Sequence, residues 1–153
     1  MDSSFWSGLQ TIKYKVFDDY AYHIPREHAE IIFYVCFLMV FTSIYAFIKR
    51  QYDLSILSMV VLFTSLNHWS DPQIGIVRNL DIVASWFGFI YVVLRVFFIQ
   101  RGITVLFWMF YFVAVSAYVV GWYLFKNGHI LYSTISHCIV HLCCNASIIL
   151  LCG

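Results

Sequence analysis

Charge is what this chain has least of. Nine Lys/Arg and eight Asp/Glu make up 11% of its 153 residues, against about 25% in an ordinary soluble domain. A globule of this size could not cover its surface with so few polar groups, and 62% of the residues are hydrophobic and 20% aromatic. The outer solvent is therefore lipid. The formal charge of +1 leaves no basic field to hold a phosphate backbone, which removes nucleic acid as a partner. CxxC pairs are missing as well. The five cysteines, Cys36, Cys138, Cys143, Cys144 and Cys152, lie in apolar runs without the spacing of a disulfide framework or a cysteine-type zinc site, and read as small hydrophobes. The first thirty residues contain no apolar h-region, so they are not a secretory signal and are expected on the mature protein. Internal repeats and low-complexity stretches are also absent from the sequence.

Residues 1–30 interleave Phe5, Trp6, Leu9, Ile12, Tyr14, Val16 and Phe17 with Lys13, Lys15, Asp18 and Asp19, a pattern that suits a segment lying at the headgroup level. Pro25 ends it. A helix starting near Arg26 and Glu27 places an acid in its first turn, where it complements the helix dipole. Residues 31–153 then predict an all-α integral membrane bundle of about five transmembrane helices, over 31–48, 54–69, 80–99, 103–125 and 130–152. The first run, about 18 residues at ~1.5 Å each, spans ~27 Å, close to the hydrocarbon thickness of a bilayer. The second is the least hydrophobic, with Ser55, Ser58, Thr64, Ser65, Asn67 and His68. The fourth is one helix, because two spans would need about forty apolar residues and a turn, and Gly121 is its only breaker. The last runs to the end of the chain. Lys13, Lys15, Arg26, Arg78 and Lys126 fall on the N-terminal side of this arrangement, against Lys49, Arg50 and Arg101 on the other, with Arg95 able to snorkel toward that far side. The bias places the N-terminus in the cytoplasm.

Ionisable groups inside spans need a reason, since burying a charge in hydrocarbon costs roughly 2.5 kcal/mol or more. His68 closes the second span and Asp81 opens the third. His137 and His141 lie in the near half of the last span, where i, i+4 spacing puts both imidazoles on one helix face. Three imidazoles with a carboxylate nearby form the ligand set of a catalytic zinc with an open position for water. Water bound to Zn2+ ionises near pH 7 and can attack an amide or ester carbonyl. Ser65 sits one turn before His68, placed to orient that water or donate to an oxyanion, and Asp81 is the candidate general base. Taken singly, each residue has a plainer role. His68 can bond a neighbouring helix, Asp81 can cap a helix facing water, and Ser65 can bond back to a carbonyl. The HxxxH pair is harder to explain that way, because two desolvated imidazoles on one face both need partners. They cannot be the two axial ligands of one haem, being neighbours on one helix. His23, His28 and His129 fall in turns or at the interface and are expected to be solvated. Trp69, Trp86, Trp108 and Trp122 read as lipid-facing packing and interfacial anchors.

Three segments together, TSLNHW at residues 64–69, NLDIVAS at 79–85 and HCIVH at 137–141, resemble the CREST-type superfamily. That group includes alkaline ceramidases, progestin and adiponectin receptors, lipid-remodelling proteins of GPI anchors, and membrane proteins linked to systemic RNA interference. The resemblance implies a zinc-dependent hydrolase acting on a lipid amide or ester, with His68, His137 and His141 as zinc ligands and Asp81 and Ser65 around the zinc-bound water. Two features depart from the family pattern. The family's serine position, four before the histidine, is Thr64 here, with Ser65 at three, and the bundle has five spans where the family has seven. The alternative function is a structural or scaffold protein of an organelle or viral membrane that keeps the helices and even the metal. A third is a receptor-like bundle whose partner contacts the N-terminal segment. The expected partners are a lipid substrate or bilayer lipids, and a second copy or another membrane protein against the thin bundle.

Overall fold

The computed structural model describes residues 24–73, 75–98 and 104–153, and every regular element among them is a helix. Helix α1 (Arg26–Cys36) begins directly after Pro25 with Glu27 in its first turn. It runs through Phe37 into α2 (Leu38–Ile48). Helices α3 (Tyr52–Ser70), α4 (Ile76–Phe98), α5 (Thr104–Lys126) and α6 (Ile130–Cys152) follow. The fourth expected span is thus one 23-residue helix over its described residues. The interfacial reading of the N-terminal segment, with Lys13, Lys15 and His23, lies outside the described residues, as does Arg101.

Four stretches are long and apolar enough to cross a membrane: Arg26–Ile48, Ile76–Phe98, Val105–Lys126 and Ile130–Cys152. This is an all-α integral membrane bundle. The second of the five expected spans, α3, is long enough but less apolar than the other four, and it packs against α1, α2 and α4. Its buried positions include Ser55, Ser58, Ser65 and His68, so the residues that lower its hydropathy face protein. Ser43 of α2 bonds both the hydroxyl and the carbonyl of Ser55 at 3.0 Å.

Helix α6 lies against α1, α2 and α5, and its buried residues are mostly small or polar: Thr134, Ser136, His141, Cys143, Asn145 and Ser147 among them. Hydrocarbon gives no hydrophobic drive between helices, so close approach of small side chains and interhelical hydrogen bonds hold such a bundle together. The large apolar residues point outward instead, as Phe41, Phe63, Phe97 and Phe112 do. Helix α5 is the limiting case. Its buried positions Phe107, Ala114 and Gly121 recur every seven residues and make one narrow stripe facing α6.

Two of the connections are very short. After α5, the His129 amide bonds the Leu124 carbonyl and the Gly128 amide that of Phe125, which is a Schellman cap with Gly128 at φ +78°. After α2, the Gln51 amide bonds Ala46 and the Arg50 amide bonds Phe47. The same cap is built there with Arg50 at φ +59°.

Candidate functional site

Asp81 does not cap α4. The helix begins at Ile76, four residues before the apolar run, which moves Asp81 out of the first turn and buries it at 8% exposure. A carboxyl group there needs donors. Ser65 donates to Asp81 Oδ1 at 2.6 Å, and Thr64 reaches the same oxygen at 3.2 Å. Thr64 has one proton to divide between that contact and the carbonyls of Val60 and Val61, so Ser65 is the committed donor. Its hydroxyl belongs to a residue only 2% exposed. Both hydroxyls meet the same oxygen, Asp81 Oδ1.

His68 stands in the last turn of α3, buried, with Nδ1 shielded and lacking a hydrogen-bond partner among the described residues. Its ring lies 4.7 Å from that of Trp69, and Trp69 meets the ring of His137 at 5.1 Å. The rings of His137 and His141 are 4.9 Å apart along one face of α6. Farther in, His141 Nε2 lies 3.9 Å from Cys36 Sγ of α1. Below that, Asn145 donates to the His141 carbonyl at 2.7 Å and accepts from Thr42 of α2 at 2.5 Å.

A cavity of about 180 Å³ gathers His68, Asp81 and His137, with Arg78 and Ser133, at this end of the bundle. His141 is not part of its wall. The space exists because α4 and α5 meet through large rings, Trp86 on Tyr118 at 6.2 Å and Phe89 on Tyr111 at 5.6 Å, while Ala117 and Gly121 on the facing stretch of α5 leave room below them. Tyr118, Trp122 and Phe125 make the rest of that wall apolar.

The donor set suits a metal chemically. His68 comes from α3 and His137 and His141 from α6, and His68 Nδ1 is buried without a partner among the described residues. Among the described residues, however, no three His, Cys, Asp or Glu side chains stand together as a metal-holding group. Binding a metal requires the rings to turn toward one point.

Two expectations change. Trp69 is 7% exposed and wedged against two histidines instead of facing lipid. His28 lies in α1 with Nδ1 buried and lacking a partner among the described residues, while His129 is exposed as expected. Sequence reasoning passed over Arg78 and Ser133, which line the cavity, and Cys36, which touches His141. Their spacing could have pointed to the first two, since Arg78 lies three residues before Asp81 and Ser133 four before His137, each on the same helix face. Nothing local points to Cys36. No family model, curated protein or solved structure matches this chain.

Proposed function

We propose that this protein is an intramembrane zinc-dependent hydrolase of a lipid amide or ester, ceramidase-like in its chemistry. The observation that carries the reading is a buried carboxylate with a committed hydroxyl donor, Ser65 on Asp81 at 2.6 Å, in a cavity walled by two histidines. Ser65 holds Asp81 by one oxygen, and the carboxylate takes the proton of an attacking water. His137 and His141 supply two imidazoles from one helix face, and His68 supplies the third from α3. Zinc bound by such a set supplies hydroxide at neutral pH and polarises the scissile carbonyl. The apolar wall of Tyr118, Trp122 and Phe125 suits an acyl chain, and the bilayer delivers the substrate. The N-terminus is cytoplasmic in this reading, from the excess of cations on that side.

One observation favours the rival, a non-enzymatic scaffold: the three rings, as they stand, do not form a metal-holding group. Two measurements decide between them. Elemental analysis of the detergent-purified protein compares wild type with the His137→Ala, His141→Ala double variant. Turnover of a fluorescent ceramide and of the matching acyl ester compares wild type with Asp81→Asn. The hydrolase reading expects near-stoichiometric zinc that the double variant loses. It also expects zinc retained in Asp81→Asn with turnover down about 10²-fold or more, and a larger loss for Ser65→Ala than for Thr64→Val. Zinc without turnover of either lipid identifies a metal-stabilised scaffold, and absence of zinc after loading overturns the reading altogether.

A further inference from the structure

One flank of the cavity is walled by two helices that make little backbone contact with each other. Helix α4 packs on α3 and α5 on α6, while α4 meets α5 through rings, Trp86 on Tyr118, Phe89 on Tyr111 and Phe97 on Trp108. Toward the cavity end this seam parts. Ile82 of α4 and Tyr118 and Trp122 of α5 line the cavity, and they are also 37%, 44% and 52% exposed on the outside of the bundle. The cavity therefore opens sideways, between α4 and α5. Ile82 lies just inside the start of α4 and Trp122 just inside the end of α5, which sets the opening roughly 6–9 Å from the helix ends. At that depth headgroups give way to acyl chains.

Two cations border the opening. Arg78 lines the cavity from α4. Lys126, in the last turn of α5, holds its ammonium 3.9 Å from the centre of the Trp122 ring, the same ring that walls the cavity. Arg78 belongs to the first turn of α4, which contains no acid, and a cation there opposes the helix dipole. Helix stability therefore does not account for its charge, whereas an anion would be favoured by the guanidinium and the helix end together. The nearby carboxylates are turned elsewhere. Asp81 is held by Ser65 and Thr64 of α3, and Asp71 accepts from Gln73 at 2.8 Å.

We propose that the α4–α5 seam is a binding site for an anionic phospholipid. Its phosphate lies between Arg78 and Lys126, and one acyl chain passes Ile82, Tyr118 and Trp122 into the cavity. Charge complementarity selects this occupant over a neutral lipid or a second helix. An apolar helix laid on the seam would press both cations against hydrocarbon, whereas a phospholipid neutralises them where they stand. The site shares the cavity of the hydrolase reading but needs no metal. In the orientation proposed above it faces the cytoplasmic leaflet, the one that carries anionic lipid.

The test uses the full chain in phosphatidylcholine nanodiscs containing a few mole per cent of a photoreactive lipid. The probe is an ether-linked phosphatidylglycerol with a diazirine on its chain, so that binding is read without turnover, and the matching phosphatidylcholine is its control. After irradiation and digestion, mass spectrometry is expected to place the label on α5 around Tyr118 and Trp122 and on α4 around Ile82. The phosphatidylglycerol probe should label this seam about ten- to thirtyfold more than its control, a factor of about five for each cation. Arg78→Gln and Lys126→Gln should each cut that preference about fivefold. Arg78→Lys should keep most of it, which separates charge from fold, and Lys49→Gln at the opposite end should leave it unchanged. Ala117→Phe, which fills the cavity, should remove the seam label with both cations in place. Equal labelling by the two probes, or label spread evenly over the lipid-facing helices, overturns the proposal. A seam free of label, as a second copy packed on it would leave it, overturns it too. None of these readouts depends on zinc. Absence of metal and of turnover leaves the seam site standing, and failure of the seam site leaves the hydrolase reading to its own measurements.

Discussion

Arg50 and Gly128 hold the same backbone position in two different turns, and only one of them suits it. Both sit at the left-handed residue of a Schellman cap, at φ +59° and +78°, with matching hydrogen bonds on either side. A side chain with a Cβ is strained in that region by roughly 1–2 kcal/mol, a strain glycine escapes. Arg50→Gly is therefore expected to stabilise the protein by about 1 kcal/mol, read as a raised Tm in detergent, while Gly128→Ala lowers it. Equal shifts for the two variants would contradict the shared-cap geometry. The same scale separates Ser65 from Thr64. Both residue types can donate, and the sequence leaves the choice open. Burial and the number of competing acceptors decide for Ser65.

At the scale of elements, α5 and α6 approach tightly where Gly121 meets Ser136. A Cβ built on Gly121 would stand 3.1 Å from the Ser136 Cβ, whereas one on Gly88 would make ordinary 3.7 Å contacts with Leu57 and Val61. Gly121 does not break α5, in keeping with the single helix read from the sequence. It sets the spacing of a helix pair and bounds the cavity. Gly121→Val should cost about 1–3 kcal/mol through overpacking. Gly88→Ala should be neutral or gain up to about 1 kcal/mol in helix propensity. Thermal unfolding of the two variants in one detergent checks the contrast, and an unaffected Gly121→Val would mean the two helices part freely. Helix α3 carries the complementary lesson. Its polar residues reduce its apolarity below that of the other long helices, yet two of them tie it to its neighbours, Ser55 to Ser43 of α2 and Ser65 to Asp81 of α4.

Across the whole molecule, polar contacts fasten both ends of the bundle. At the end opposite the cavity, Asp53 at the start of α3 accepts from Tyr91 and pairs with Arg95 of α4, and Arg95 also donates to Gln51. The snorkelling read for Arg95 is therefore directed at a partner. The pair is partly exposed, with 20% and 38% of the two side chains accessible, which tempers its strength. Removing one member still strands a charge near hydrocarbon. Asp53→Asn is expected to cost about 1–3 kcal/mol, and the double change with Arg95→Met should cost less than the sum of the single ones. Additive losses in a double-mutant cycle of detergent unfolding midpoints would show that the two residues act separately.

Composition alone determined that this chain lives in lipid, because eleven charges in a hundred residues cannot clothe a globule in water. Hydropathy runs and their turns located the helices, and helical period put His137 and His141 on one face. Those are local properties, set by neighbours in the chain. The start of α4 at Ile76 was not legible, since Arg78 and Asn79 separate Ile76 and Val77 from the long apolar run that begins at Leu80. That shift is what buries Asp81. The meeting of Cys36 with His141 was equally hidden. The two are 105 residues apart and carry no shared motif, so only the docking of α1 on α6 brings them together. The cavity has the same origin, in the aromatic rings that keep α4 and α5 apart. A sequence can state which side chains want partners in a membrane, but the partners are chosen by how the helices pack.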